Sequence, residues 1–159
     1  MAGRYAELHA LSNFTFLRGA SHPEELVKTA AELGYEALAI TDECSMSGVV
    51  RAHAAAKECG LKKLIIGSEL RLRSGRKLVA LARNKAGYAS LCRLITNARR
   101  AAEKGSYELG RLDFEEGLSG CLVLWVPDRK LTLDVEDHWL RETFRDRLWI
   151  AVELLADGR

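Results

Sequence analysis

Three short segments near the start of the chain carry side chains suited to holding metal ions or phosphate esters. They are Ala6-Glu7-Leu8-His9-Ala10-Leu11-Ser12, Ala39-Ile40-Thr41-Asp42-Glu43 and Ile66-Gly67-Ser68-Glu69. Each reads as a β-strand that delivers polar, ligand-type residues at its C-terminal end. In a barrel of parallel strands those ends converge on one face, where active sites are built. Glu7, His9, Asp42, Glu43 and Glu69 can therefore meet in space although they lie far apart in sequence. A histidine among several carboxylates outlines a metal or phosphoester site, in which an ion activates water and neutralises phosphate charge.

The same residues have plainer readings. His9 reads equally as a core histidine bonded to a backbone carbonyl, Asp42 as a residue of the loop leading into a helix, and Glu69 as a strand-end charge. His22, His53 and His138 fit helix surfaces. Cys44 stands beside two acids, which raise a thiol pKa and work against a reactive thiolate. Position on one shared rim is what sets His9, Asp42 and Glu69 apart.

The elements that would position them follow from patterning. A strand spans about 5–11. Ser21-His22-Pro23-Glu24 opens a helix, with Ser21 as N-cap, Glu24 closing a capping box and Pro23 in the first turn. Leu26, Val27, Ala30 and Leu33 recur at helical spacing up to Gly34. The run 37–40 is a short strand buried on both faces. A helix over 47–59 ends at Gly60, and 64–66 forms a third strand. Segments 70–73 and 77–81 read as a hairpin about Ser74-Gly75. A long helix follows over 85–104, with Tyr88, Leu91, Cys92, Ile95 and Ala98 on one face. Then come a strand at 121–126, a helix at 136–144 and a sixth strand at 148–152. Strands alternating with helices through short loops predict an α/β fold with parallel strands.

Composition supports a single packed domain: 159 residues, 48% hydrophobic and 29% charged. No apolar run approaches a membrane span and the first residues lack a signal-peptide stretch, so a soluble, cytoplasmic protein without a membrane partner is expected. The four scattered cysteines read as free thiols, not as a zinc site. Net charge is only +2, but residues 70–102 hold nine bases and no acid. Within that block Arg71, Arg73, Arg76 and Arg83 are candidate contacts to DNA or an acidic partner; the alternative is a solvated hairpin and helix face. Strand 148–152 ends the pattern with no helix to cover it. An unpaired apolar edge invites association, so a piece of a longer protein, able to dimerise through that strand, is expected.

The order of these segments resembles the PHP (polymerase and histidinol phosphatase) domain of bacterial C-family DNA polymerases. Residues 8–20, 37–42 and 64–69 carry the resemblance, and Leu78-Val79-Ala80-Leu81-Ala82-Arg83-Asn84 with Gly87-Tyr88 and Leu91 extends it. The wording of 6–14 and Thr41-Asp42-Glu43-Cys44-Ser45 is most like the error-prone, translesion branch, related to the replicative alpha subunit. The resemblance implies a distorted (β/α)7 PHP-type barrel, incomplete here, of which residues 1–159 form the N-terminal two-thirds or less. The remaining barrel and the polymerase core, with its magnesium, would lie elsewhere in a larger chain. The partners implied are the rest of that polymerase chain, DNA through the parent protein, and other translesion factors.

Intact members hold a metal cluster on histidines and carboxylates and hydrolyse phosphoesters. Set against that pattern, His9, Asp42 and Glu69 stand at ligand positions. Leu11, Arg18, Glu43 and Lys77 stand where the pattern has other ligands, and Glu7 flanks the rim. Two of the replacements are fixed cations. If Arg18 reaches Asp42 or Glu69, a charge-assisted hydrogen bond can hold what a metal held. The resemblance thus implies a degenerate, structural or partner-binding module, with no catalytic residue in this segment and no resident cofactor. The alternatives are a single weakly bound zinc or manganese ion on His9, Asp42 and Glu69, an active metal-dependent phosphoesterase or 3′–5′ exonuclease, or a free-standing small hydrolase.

Overall fold

Short apolar runs bounded by turns account for the strands at 37–40, 77–82 and 121–126, and 3.6-residue periodicity accounts for the helices. A computed structural model describes residues 4–115, 117–127 and 135–152. Its six strands are β1 (Ala6–Ala10), β2 (Ala37–Ile40), β3 (Leu64–Arg71), β4 (Lys77–Ala82), β5 (Cys121–Val126) and β6 (Leu148–Ile150). Among the described residues four α-helices accompany them: α1 (Pro23–Glu32), α2 (Val49–Cys59), α3 (Lys85–Arg100) and α4 (Val135–Phe144). The strands lie side by side in chain order in one curled sheet.

The expectation of a fold with parallel strands is corrected to a mixed sheet, while the expected hairpin about Ser74-Gly75 is present. β1, β2 and β3 run parallel, and β6 is parallel to β5, but β3–β4 and β4–β5 are antiparallel. For β3–β4 the reason is local. Gly75 adopts φ +88°, and Leu72 N–H bonds to the Arg76 carbonyl at 2.9 Å, closing a tight turn straight after β3. So short a link can only reverse the chain, because a parallel partner needs a crossover of a dozen residues or more.

β3 is also longer than expected. Its first half pairs with β2 and its second half with β4, so Glu69 lies within the strand and not at its end. Leu70 points the other way and is fully buried against α3.

Helix starts show a similar shift. α1 is capped by His22, not Ser21: the His22 N–H donates to Glu25 Oε2 at 2.8 Å, and Pro23 takes the first helical position. Proline with its preset φ favours that position, which moves the box one residue along. α2 ends at Gly60 (φ +71°) as its sequence predicts. α3 stops four residues early, at Arg100, and buries Gly87, Leu91, Leu94 and Ala98, while Tyr88 is exposed.

Two apolar layers support the sheet. Val27, Ala30, Leu38, Ile40, Ala52 and Leu61 pack α1 and α2 against β2. Leu70, Leu78, Leu91, Phe114, Val123 and Phe144 pack α3 and α4 against β3–β5. The opposite, concave face carries Ile65, Val79, Leu81, Leu122, Leu124 and Val126 around a cavity of ≈ 1230 Å³. Among the described residues no helix is long and apolar enough to cross a membrane. All four cysteines are free.

Candidate functional site: a salt-bridged cluster at the strand ends

Glu69 is the centre of the cluster. Strand alternation puts it on the face of Val79, toward the concave side, and its side chain is 0% exposed. Burying an ionised carboxylate is costly unless each oxygen finds charged or hydrogen-bonding partners. Oε1 accepts from Arg18 Nη1 at 2.6 Å and from Arg71 Nε at 3.1 Å; Oε2 accepts from Arg18 Nη2 at 3.1 Å and meets His9 Nε2 at 2.9 Å. Desolvation alone would raise its pKa, but the bonds from His9 and Arg18 prevail and hold the carboxyl well below the usual range. Those bonds to Glu69 in turn keep the Arg18 guanidinium firmly protonated against the effect of burial. An ionised carboxylate only accepts, so His9 Nε2 carries the hydrogen and donates it.

Glu43 forms the second half. Arg18 Nη1 also bonds Glu43 Oε2, and Arg71 Nε lies 3.5 Å from Glu43 Oε1. Tyr107 Oη donates to that same oxygen at 2.8 Å and accepts from the Arg71 amide at 3.1 Å. Burial and the bond to Glu43 push the Tyr107 phenol far above its ordinary pKa, so it stays a donor. Two carboxylates thus face two guanidiniums, which gives a locally balanced charge.

Asp42 goes elsewhere. It is 1% exposed, and its Oδ1 accepts from the Ser12 amide and the Thr15 hydroxyl, both at 2.7 Å. Its Oδ2 accepts from the Ser12 hydroxyl at 2.7 Å. The Thr15 oxygen then accepts from the Glu43 amide at 3.0 Å, tying the two halves of the rim together. Gly19 permits this closure: a Cβ there would lie 1.9 Å from the Ser12 carbonyl oxygen.

The loop after β2 is held from both sides. Ser68 Oγ donates to the Asp42 carbonyl at 2.7 Å, and Cys44 N–H donates to the Glu69 carbonyl at 2.8 Å. Arg99 reaches the Cys44 carbonyl at 3.1 Å and the Glu43 carbonyl at 3.3 Å while its guanidinium lies over the Tyr107 ring at 5.2 Å. Cys44 is fully buried, and burial, ahead of its acidic neighbour, pushes its thiol up to about 11.

Glu7 turns back on its own strand, accepting from the His9 amide at 3.0 Å and the Tyr5 hydroxyl at 2.8 Å. Leu11 is half-buried just past β1. Lys77 opens β4 with its Cα opposite Arg71. Of the basic candidates, Arg71 serves the cluster, Arg73 pairs with Glu108, and Arg76 makes a two-point contact with Asp137 at 3.1 and 3.3 Å. Arg83 is exposed and lines the concave cavity. Ser12, Thr15, Arg99 and Tyr107 escaped sequence reasoning. The first two lie inside the motif 8–20, but Tyr107 sits in an irregular stretch with no periodicity to announce it.

This donor set does not fit a metal cluster. The carboxylate oxygens of Asp42, Glu43 and Glu69 accept from protein donors, His9 Nε2 donates, and a guanidinium lies between Glu43 and Glu69. A divalent ion there would have to displace Arg18.

Residues 7–151 match the family described as the PHP domain. The chain is 57% identical over 155 residues to the error-prone DNA polymerase of Methylococcus capsulatus, covering 97% of the chain but 15% of that protein. It is 58% identical over 157 residues to the error-prone DNA polymerase of Dechloromonas aromatica, again covering 96% and 15%. A solved structure of a candidate metal-dependent phosphoesterase from Bifidobacterium adolescentis superposes with TM-score 0.62 at 17% identity, over 92% of this chain and 76% of that one. At that identity the likeness speaks for the fold. The chain spans about 15% of the length of the curated relatives it matches. With the family model matched over nearly its whole length, the chain belongs to the PHP domain family.

Proposed function

We propose that this chain is the PHP module of an error-prone DNA polymerase acting in damage-induced translesion synthesis, and that the module itself is structural and partner-binding. In this reading a salt-bridged cluster stands where the family pattern places a metal cluster. The observation that supports it is Arg18, whose guanidinium binds the buried Glu69 at 2.6 and 3.1 Å and also bonds Glu43. A fixed cation in that place supplies the charge balance an ion would supply, and it offers neither a water to activate nor an open coordination site. The rest of the polymerase chain would be the permanent partner, and nucleotidyl transfer would belong to that part.

The test uses the full-length polymerase, purified without chelator. Metal content is measured by elemental analysis, and nucleotide release from single-stranded DNA is assayed with manganese. Less than stoichiometric metal and no release assigned to this module are expected. Nucleotide release that disappears in Asp42→Ala, in a variant that still folds and polymerises, would favour a phosphoesterase or 3′–5′ exonuclease and overturn the proposal.

A further inference from the structure

The loop from β1 to α1 holds two large apolar side chains out in water: Phe16 is 83% exposed and Leu17 is 89% exposed. Such a crest would ordinarily be free to fold back and cover itself. Here both flanks are fastened. On one side Thr15 is buried, bonded to Asp42 at 2.7 Å and to the Glu43 amide at 3.0 Å. On the other, Arg18 is locked onto Glu69 and Glu43, while its amide and that of Gly19 donate to the Thr15 carbonyl at 3.1 and 2.9 Å.

Leu17 adds a second observation. Its φ is +63°, a left-handed conformation that branched L-residues disfavour and that glycine or asparagine would adopt more readily. A strained backbone that ends in an exposed leucine brings the isolated module no benefit in either respect. Phe14 of the same loop, 39% exposed under the Arg51 guanidinium, adds to its apolar surface.

We infer that Phe16 and Leu17 form a rigid docking knob that seats in an apolar socket elsewhere on the same polymerase chain, and that the Arg18 clasp serves to hold the knob in that posture. The inference rests on reading the chain as one module of an error-prone polymerase. Size argues for a partner in cis. Two side chains and their neighbours cover far less than the ~1,000 Å² that a stable association from solution requires. A tethered partner needs no such area, because the linkage supplies an effective concentration of about millimolar order. Curated relatives place roughly six-sevenths of their length outside the matched segment (15% is covered), so the surface permanently at hand is the rest of the polypeptide. A crest fixed in advance also loses little conformational freedom on docking.

The experiment places a benzoylphenylalanine photo-crosslinker at position 16 of the full-length polymerase. The expected product is an intramolecular crosslink to a peptide outside residues 1–159, with a yield independent of protein concentration. Leu17→Asn, which suits the backbone and removes the apolar side chain, should lower that yield about tenfold without lowering the melting temperature of the module. Arg18→Gln should lower it as well. A yield unchanged in Leu17→Asn, a crosslink that grows with concentration and joins two copies, or capture only of other proteins would each overturn the inference. A parent gene that encodes no polymerase would defeat the functional reading itself, which is a separate and distinguishable failure.

Discussion

Arg18 and Glu69 are joined by two hydrogen bonds, Nη1 to Oε1 at 2.6 Å and Nη2 to Oε2 at 3.1 Å, across 51 residues of chain. The carboxylate is fully buried and the arginine one-third exposed. The pair pins the β1–α1 loop onto β3, so a single side-chain contact sets how the first loop sits on the sheet.

Removing the arginine should therefore destabilise the domain. Arg18→Ala leaves Glu69 with His9 and Arg71, a partial set of donors for a buried charge, and a loss of about 2–4 kcal/mol is expected. Arg18→Met combined with Glu69→Met removes both charges and should cost less than the single arginine variant, since the fully buried carboxylate is gone and the partly exposed Glu43 keeps Arg71 and Tyr107. Urea unfolding of the three proteins measures the order. A double variant less stable than Arg18→Ala would show that the pair contributes more than mutual compensation.

The same contact sets the acid limit. The pKa of Glu69 is depressed in the folded state, so on acidification the unfolded chain takes up the proton first. Its contribution is fully present above the ordinary carboxylate range, near 4.5, and is lost as pH falls through that range and below. Unfolding midpoints taken between pH 7 and pH 3 should decline in the native protein. Glu69→Gln should start lower at pH 7 and decline less steeply. Parallel slopes for the two proteins would assign the acid sensitivity to other carboxylates.

Much of this arrangement could be read from the sequence, and the misses have physical causes. The strands 37–40, 64–66 and 121–126 are apolar runs bounded by turn residues, and each is present in the fold. The hairpin about Ser74-Gly75 is legible in the sequence and present as the antiparallel β3–β4 pair, whereas the antiparallel β4–β5 pair is not, because short apolar runs look alike in parallel and antiparallel sheets. His9, Glu43, Glu69 and Arg18 were visible as residue types at strand and loop positions. That Arg18 would choose Glu69 and Glu43 over Asp42 was not visible, because the choice depends on Ser12 and Thr15 having already filled the Asp42 oxygens. Tyr107 comes from an irregular stretch without a period, and Arg99 from a helix whose period marks its buried face but not what its charged end reaches, so only the packed chain brings them to Glu43.

Asp42 gives the cleanest separation of structural from catalytic roles. Its carboxylate is the acceptor for the Ser12 amide, the Ser12 hydroxyl and the Thr15 hydroxyl, all at 2.7 Å. Asp42→Ala leaves those donors buried without an acceptor and should cost about 2–3 kcal/mol. Thr15→Val removes one donor to Asp42 and the acceptor for the Glu43 amide, for about 1–2 kcal/mol. Thermal unfolding in buffer with and without EDTA tests both variants. Melting temperatures that drop in the variants but ignore EDTA are expected; a native protein destabilised by EDTA to the level of Asp42→Ala would point to a bound ion.

Gly19 offers a purely steric test of the loop. Its Cα passes so close to β1's exit that a Cβ would stand 1.9 Å from the Ser12 carbonyl oxygen and 2.3 Å from its carbon. Backbone cannot step aside as a flexible side chain can, so Gly19→Ala must push residues 12–19 outward. That movement pulls Thr15 from Asp42 and Arg18 from Glu69 together, and a cost of about 2 kcal/mol or more is expected, near that of Arg18→Ala. Because the two changes break the same contacts, the double variant Gly19→Ala with Arg18→Ala should lose clearly less than the sum of the singles. Hydrogen exchange should show the amides of Asn13, Arg18 and Gly19 unprotected in each variant, while those within α3 keep their protection. Additive losses, or protection retained at Arg18 in Gly19→Ala, would mean that the loop closes on Ser12 independently of the ionic cluster.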